Sequence, residues 1–350
     1  MDATLPTKVA VCDRGRGRVQ VFERRDDVGD RGWRHSRNLG GAVPGDEPYL
    51  LYQPGGIAWT RDPDEILVAD TGNNKVRALE PGSRALQRNF TFVSSFAGFG
   101  VAGDQDGPAI EARFRGPKGI AVHEGVLYLA DSGNNVIRAI NLTDPEHRVS
   151  TFAGAGPKEH ADSRYRANAR FANPSDLCVD KPPFGDGSLY VADTDNHVIR
   201  RVHPNIDGLT ETVAGKPGRR GKLDSRGKRA TFDTPLGITV DSRRRMLYVV
   251  DSRNGLIRTV SIAAADYGEV GTLAGAFANK EQRFGDTDGI GPTVAFREPS
   301  GIAHNGPFVY VADRRAHRIS RVNTTDGHSD YLAGGLMFAM GLREGIGTQF

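Results

Sequence analysis

The residues with the clearest chemical potential come in pairs at a fixed distance. Asp70, Asp131, Asp193 and Asp251 are each followed seven residues later by an arginine: Arg77, Arg138, Arg200 and Arg258. Across a hairpin with a turn of about five residues, these two positions fall near each other on adjoining strands, so a carboxylate–guanidinium pair can form. A catalytic pair is needed once, and this one recurs, so it is read as architecture. Two further aspartates of the same series have other residues at the arginine place, Gln20 after Asp13 and Ser320 after Asp313.

A second concentration of charge has no repeat. Segment 216–229, KPGRRGKLDSRGKR, holds Lys216, Arg219, Arg220, Lys222, Arg226, Lys228 and Arg229 against Asp224 alone, a local excess of +6 in a chain of formal charge +3. An earlier stretch adds Lys158, Arg164, Arg166 and Arg170, with Tyr165 the one aromatic inside the two basic stretches. Neighbouring basic segments of this kind can build a surface for an anion or a polyanion, although base stacking would call for more aromatic residues. The nine histidines form no H-x-H, H-x₃-H or HExxH cluster, and no Ser–His–Asp arrangement, P-loop or dinucleotide fingerprint is present. No residue set is therefore assigned to catalysis, a metal or a cofactor.

The elements that position these residues follow from a period of about 60. An opening Pro-x-[Gly/Asp]-[Ile/Leu] recurs at Pro54, Pro117, Pro174, Pro235 and Pro299. Each opening is followed by an apolar run ending in aspartate: ILVAD at 66–70, LYLAD at 127–131, LYVAD at 189–193, LYVVD at 247–251 and VYVAD at 309–313. An earlier copy, VAVCD, stands at 9–13. A polar turn, a third apolar run and a fourth run ending in Ala-Gly complete each unit, with Leu39-Gly40 in the early copy. Four short runs rich in Val, Ile, Leu and Tyr, separated by glycine-bearing turns, read as a four-stranded antiparallel meander. Near-continuous apolarity in the strands means that both sheet faces are covered, as in blades arranged around an axis.

The chain is thus expected to be all-β, a single six-bladed propeller over 1–350, with blades near 8–40, 54–98, 117–154, 174–215, 235–275 and 299–334. Asn73-Asn74, Asn134-Asn135, Asn196-His197, Asn254-Gly255 and Ala316-His317 occupy one place in the repeat and read as tight turns whose residues tolerate positive φ. These turns share a face with the blade-to-blade connections, so His197 and His317 join the basic residues as candidates for a binding surface.

The run LYVADTDNHVIRRV at 189–202, followed by TVAGKPG and FDTPLGITVD, resembles the NHL-repeat propellers, and Asn196-His197-Val198 nearly spells the motif that names them. The resemblance covers almost the whole chain. It implies a propeller, and it leaves function open, because such propellers serve as RNA readers, scaffolds, sensor domains and amidating lyases. A lyase-like or hydrolase-like enzyme would hold a metal at the axis through histidines of different blades; His123 and His304, at the ends of inner-strand runs, are the positions for it, but no companion tyrosine and arginine pattern accompanies them. The expectation is a non-enzymatic binding or scaffold propeller with a protein or peptide partner on the connection face. RNA or another polyanion is the alternative partner.

No stretch approaches the roughly 18 apolar residues of a membrane-spanning helix, so a soluble chain without membrane insertion is expected. Cys12 and Cys178 sit in apolar runs and read as free, structural thiols. The start MDATLPTKVA has no secretory pattern, whereas sequons begin at Asn89, Asn141 and Asn323, so the compartment stays open. At the ends, the early copy begins directly with its second run, and Phe350 stands where Phe114, Phe171, Phe232 and Phe296 precede the next opening by three residues. Residues 8–40 are therefore expected to supply three outer strands of a blade whose inner strand comes from sequence beyond 350, with an open strand edge at the axis.

Overall fold

The computed structural model describes residues 8–24, 33–39, 45, 50–60, 65–81, 91–204, 208–275, 288–334 and 347–349. Asn89, Gly40, Phe350 and residues 1–7, which carried some of the expectations above, lie outside these. The described strands form six antiparallel sheets, five of them containing a meander from an inner to an outer strand. In the fourth blade the strands are Pro174–Val179, Leu189–Asp193, Val198–Val202 and Thr210–Ala214. Short 3-10 turns are the only helical elements among the described residues, and none is long and apolar enough to cross a membrane.

The sequence pattern explains the layering. ILVAD at 66–70 and LYVAD at 189–193 are buried at every position, because each blade is sandwiched between two others. Outer strands such as Val149–Ala153 are buried only at their ends. The hydrophobic clusters lie between blades: Leu67 and Val76 of the second blade pack with Ile120, Leu129 and Phe114 at the third, and Tyr190 and Ile199 of the fourth with Ile238 and Leu247 of the fifth. Val11 of the first blade meets Ile319 of the sixth. Inner strands touch in cyclic order, and Gly347–Gln349 lies between the inner strands of the sixth and second blades. The ring is closed and has six blades.

Closure departs from expectation in one respect. Lys8–Asp13, Arg18–Arg24 and Trp33–Leu39 are the three outer strands foreseen for the first blade. The inner position is not left to sequence beyond 350: Gly347–Gln349 pairs antiparallel with the VAVCD run, Ala10 opposite Gln349 and Cys12 opposite Gly347. The termini do form a clasp, and a three-residue strand from within the chain fills the edge. Periodicity missed it because Gly347-Thr348-Gln349 carries neither the opening proline nor the apolar residues of the other inner strands.

The connections into the third, fourth, fifth and sixth blades each place described residues along the outer edge of the blade they enter. Gly107 bridges Val149, Ser163 bridges Thr210, Arg226 bridges Glu269, and Gly289–Ile290 adds a short fifth strand beside His328 and Ser329. These contacts cover outer edges that would otherwise present unpaired backbone groups. Cys12 and Cys178 are both free.

Candidate functional site

The repeated aspartate organises the face where the second strands end and the third begin. It is buried in all six blades. In the fourth blade, Asp193 Oδ1 accepts the Ala172 backbone N–H at 2.7 Å, while Oδ2 accepts Asn196 Nδ2 at 2.8 Å and an Arg200 guanidinium N–H at 2.9 Å. The third and fifth blades repeat this set: Asp131 binds Arg115 N–H, Asn134 and Arg138, and Asp251 binds Asp233 N–H, Asn254 and Arg258. One carboxylate thus ties the incoming connection, the turn and the third strand together.

Burial pushes Asp131, Asp193 and Asp251 up to about 6, against the pull of their arginine and amide partners. They remain ionised at neutral pH. At the two departures from the arginine pattern, Gln20 Nε2 and Arg18 Nε both donate to Asp13 Oδ2 at 3.1 Å, whereas Asp313 accepts the Arg297, Glu298 and Ala316 backbone N–H groups and Ser320 Oγ accepts from Arg318 Nε at 3.0 Å.

The arginines carry more than the sequence reading gave them. Arg138, Arg200 and Arg258 are fully buried, and each lies over the phenylalanine that precedes its blade's opening proline: Phe114 at 5.3 Å, Phe171 at 4.9 Å and Phe232 at 5.0 Å. Each also reaches a second carboxylate from the connection, Asp106, Asp162 or Asp224. Asp224, the one acid in the basic segment, is therefore spent on Arg258. The strand register shifts beside the arginine in these blades, a bulge between the third and outer strands. Recurrence of Phe at one place and of Asp at 106, 162, 224 and 288 was the available signal for this second layer.

The turns have the expected conformation. Residues 71–73, 132–134, 194–196 and 252–254 form 3-10 turns ending in left-handed Asn74, Asn135, His197 and Gly255, and His317 shares that conformation with φ +52°. The glycine of the Ala-Gly pair packs onto the same turn: a Cβ at Gly215, itself at φ +99°, would stand 2.6 Å from the His197 carbonyl oxygen. The first asparagine of each pair is a latch rather than a turn former, since Asn196 Nδ2 also donates to the Glu159 carbonyl at 3.0 Å. Thr71 and Thr194 hydroxyls donate to the carbonyls of Pro117 and Pro235, at 2.6 and 2.7 Å, stapling each blade to the next inner strand.

The candidate basic residues lie along two connections that meet where Lys228 pairs with Asp162 at 2.9 Å. Arg220 lies 3.8 Å from Asp233, Arg170 binds Glu159, and Arg226 Nε donates to the Tyr267 carbonyl at 3.1 Å. Arg166 stacks over Phe152 at 4.3 Å. Lys222 is exposed. Lys216, Arg164, Arg219 and Arg229 are exposed too and make no side-chain ion pair among the described residues. His197 is buried: Nδ1 accepts the Thr234 N–H at 3.2 Å and Nε2 faces Arg220 Nε at 3.3 Å. His317 is exposed and lines the axis.

A cavity of about 920 Å³ opens at the axis, lined by inner-strand openings and post-aspartate turns, including Gly55, Lys118, Asp176, Ser300, Arg14 and Arg314. Asp176 replaces the opening glycine of other blades; its Oδ2 accepts the Ile238 N–H at 3.0 Å, and burial pushes it up to about 7. His123 and His304 stand at the far ends of their inner strands. His304 stacks on Tyr248 at 5.7 Å, with Nε2 3.4 Å from Asp241, and His123 Nε2 is 3.8 Å from Glu124. Among the described residues, no group of three or more His, Cys, Asp or Glu side chains is placed to hold a metal.

A closed ring of six four-stranded blades, tied by buried Asp–Arg–Asn latches, defines a repeat β-propeller. The chain is similar over 89% of its length to human NHL repeat-containing protein 2 at 28% identity, in keeping with the resemblance to NHL-repeat propellers. It is also 29% identical over 67% of its length to the Arabidopsis thaliana protein SUPPRESSOR OF QUENCHING 1, chloroplastic. The chain spans 44% and 22% of the lengths of these two relatives. No family model matches the chain. Among solved structures, a chain of the nidogen/laminin complex shares the fold, with a TM-score of 0.57, 11% identity and 92% of both chains covered.

Proposed function

We propose that this chain is a non-enzymatic binding propeller that recognises a protein or peptide partner through its inter-blade connections, on the face that carries the post-aspartate turns. One observation supports this most. Of the ten large apolar side chains exposed among the described residues, seven lie on connections: Tyr52, Phe99, Val101, Ile110, Tyr165, Leu223 and Ile290. The scaffold beneath them is rigid, and recognition residues accumulate on loops held by such scaffolds. Tyr165 stands between Arg164 and Arg166, and Leu223 beside Lys222, so apolar anchors sit within positive charge, a combination suited to an acidic, amphipathic segment. The nidogen/laminin assembly gives an instance of this fold within a protein complex.

The test is an affinity capture with Phe99→Asp, Tyr165→Asp and Leu223→Asp combined, beside Arg243→Ala on the opposite face. Partners retained by the parent and by Arg243→Ala, and lost from the triple variant, support the reading; loss with Arg243→Ala alone overturns it.

A second reading, a polyanion such as RNA, is favoured by the unpaired exposed cations Lys216, Arg164, Arg219 and Arg229. It requires that binding fall steeply with salt.

A further inference from the structure

In a repeat protein, positions that depart from the repeat and converge in space are the places to look for a role beyond the fold. The residue after the repeated aspartate is Thr71, Ser132, Thr194 or Ser252 in four blades, and the hydroxyls of Thr71, Ser132 and Thr194 staple their blades to the next inner strand. In the first and sixth blades, neighbours at the ring closure, it is Arg14 and Arg314. The residue after the opening proline is Gly55, Ser175, Leu236 or Ser300 in four blades and Lys118 in the third. All three departures line the axial cavity.

We propose that this cavity is a binding site for a small organic anion bearing a phosphate or carboxylate group, held by Arg14, Arg314 and Lys118.

The charges around the cavity do not cancel. Arg14 is met by a neutral amide, Gln53 Oε1 at 3.2 Å, and Lys118 by another, Asn173 Oδ1 at 2.8 Å; neither has a carboxylate within ion-pair distance among the described residues. Arg314 is held by Glu298. Of the two carboxylates that line the cavity, Asp13 is engaged by Arg18 and Gln20, and Asp176 is turned to the Leu177 and Ile238 backbone N–H groups. The cations also act on one another: desolvation and then Arg314 lower Arg14, and desolvation and then Arg14 lower Lys118. A bound oxyanion would relieve this repulsion, and two guanidinium groups offer it bidentate donors. Ser300 also lines the cavity. At about 920 Å³ the space matches small-ligand pockets, which run to roughly 1,000 Å³. The assignment is independent of what docks on the surrounding rim.

The experiment is isothermal titration of the full 350-residue chain with inorganic pyrophosphate and, separately, with citrate. The decisive variant is Arg14→Thr/Arg314→Thr, which installs the hydroxyl residue of the other blades and so leaves the fold intact; a thermal melt checks this, and Lys118→Met is a second, independent variant. Saturable binding of either probe to the parent, weakened at least about tenfold in the double variant and in Lys118→Met, supports the site, about 1.4 kcal/mol in each case. Tighter pyrophosphate assigns phosphate chemistry, tighter citrate carboxylate chemistry. The exposed rim cations serve as control: Arg219→Glu/Arg229→Glu retains the affinity. No binding of either probe at millimolar concentration, unchanged affinity in folded Arg14→Thr/Arg314→Thr, or equal loss in the rim control overturns the proposal.

Discussion

Replacing Arg200 with methionine tests whether the repeated Asp–Arg pair is architectural. Arg200 is fully buried. Its guanidinium binds Asp193 at 2.9 Å, Asp162 at 3.0 Å and the carbonyls of Arg170 and Ala161 at 2.9 and 2.7 Å. Methionine keeps much of the volume over Phe171 and removes every donor. The Asp193 carboxylate then stays buried without its counter-charge, which costs about 3–5 kcal/mol. With an unfolding entropy of about 2.1 cal/mol/K per residue over 350 residues, a loss of about 4 kcal/mol lowers Tm by roughly 5 °C. Exposed Arg148, whose ion pairs with Asp144 and Glu146 lie at the surface, should cost under about 1 kcal/mol when changed to methionine. Adding Asp193→Asn to Arg200→Met removes the stranded charge and should recover at least about 1 kcal/mol. Urea and thermal denaturation followed by circular dichroism read all four proteins. An Arg200→Met protein within about 1 kcal/mol of the parent, or a double variant no more stable than the single, refutes the reasoning.

Three further outcomes are expected. Asn196→Ala strands the Glu159 carbonyl and one Asp193 contact, for a loss of about 1–3 kcal/mol in the same denaturation assay. Asp176 has a folded-state pKa raised to about 7 by burial, so the folded chain holds this proton more tightly than the unfolded one; the stability it contributes is present below about pH 4 and is lost as pH rises to about 7, by at most about 4 kcal/mol. Asp176→Asn should flatten that part of the Tm-against-pH curve, and an unchanged slope would contradict the assignment. If the exposed cations bind RNA, Arg219→Glu/Arg229→Glu should weaken every sequence alike and reduce the salt slope in a filter-binding assay.

The ring was legible in the sequence because each blade repeats one physical solution. The VAD-type runs must be apolar on both faces, and a buried aspartate must recur wherever a connection, a turn and a strand are tied by one carboxylate. The pairing of Asp193 with Arg200 followed from hairpin geometry alone. What stayed hidden depends on contacts between distant segments. The separations of 32, 38 and 34 residues between Asp106 and Arg138, Asp162 and Arg200, and Asp224 and Arg258 carry no local mark that an acid on a connection reaches a buried arginine one hairpin away. Asp224 looked like a lone acid in a basic loop for this reason. The axial cavity was hidden more thoroughly, since Arg14, Lys118 and Arg314 come from three blades and meet only when the ring closes. The short strand at 347–349 was missed because backbone pairing alone places it.

The central claim, recognition through the connections, is tested most directly by site-specific photocrosslinking. A photoreactive phenylalanine analogue is placed in turn at Phe99, Tyr165 and Leu223 on connections and at Phe184, Leu209 and Arg243 on the turns of the opposite face, and each protein is irradiated in cell extract and analysed for adducts. The account predicts discrete protein adducts from the first three positions and none from the others; adducts arising only from Phe184, Leu209 or Arg243 would contradict it.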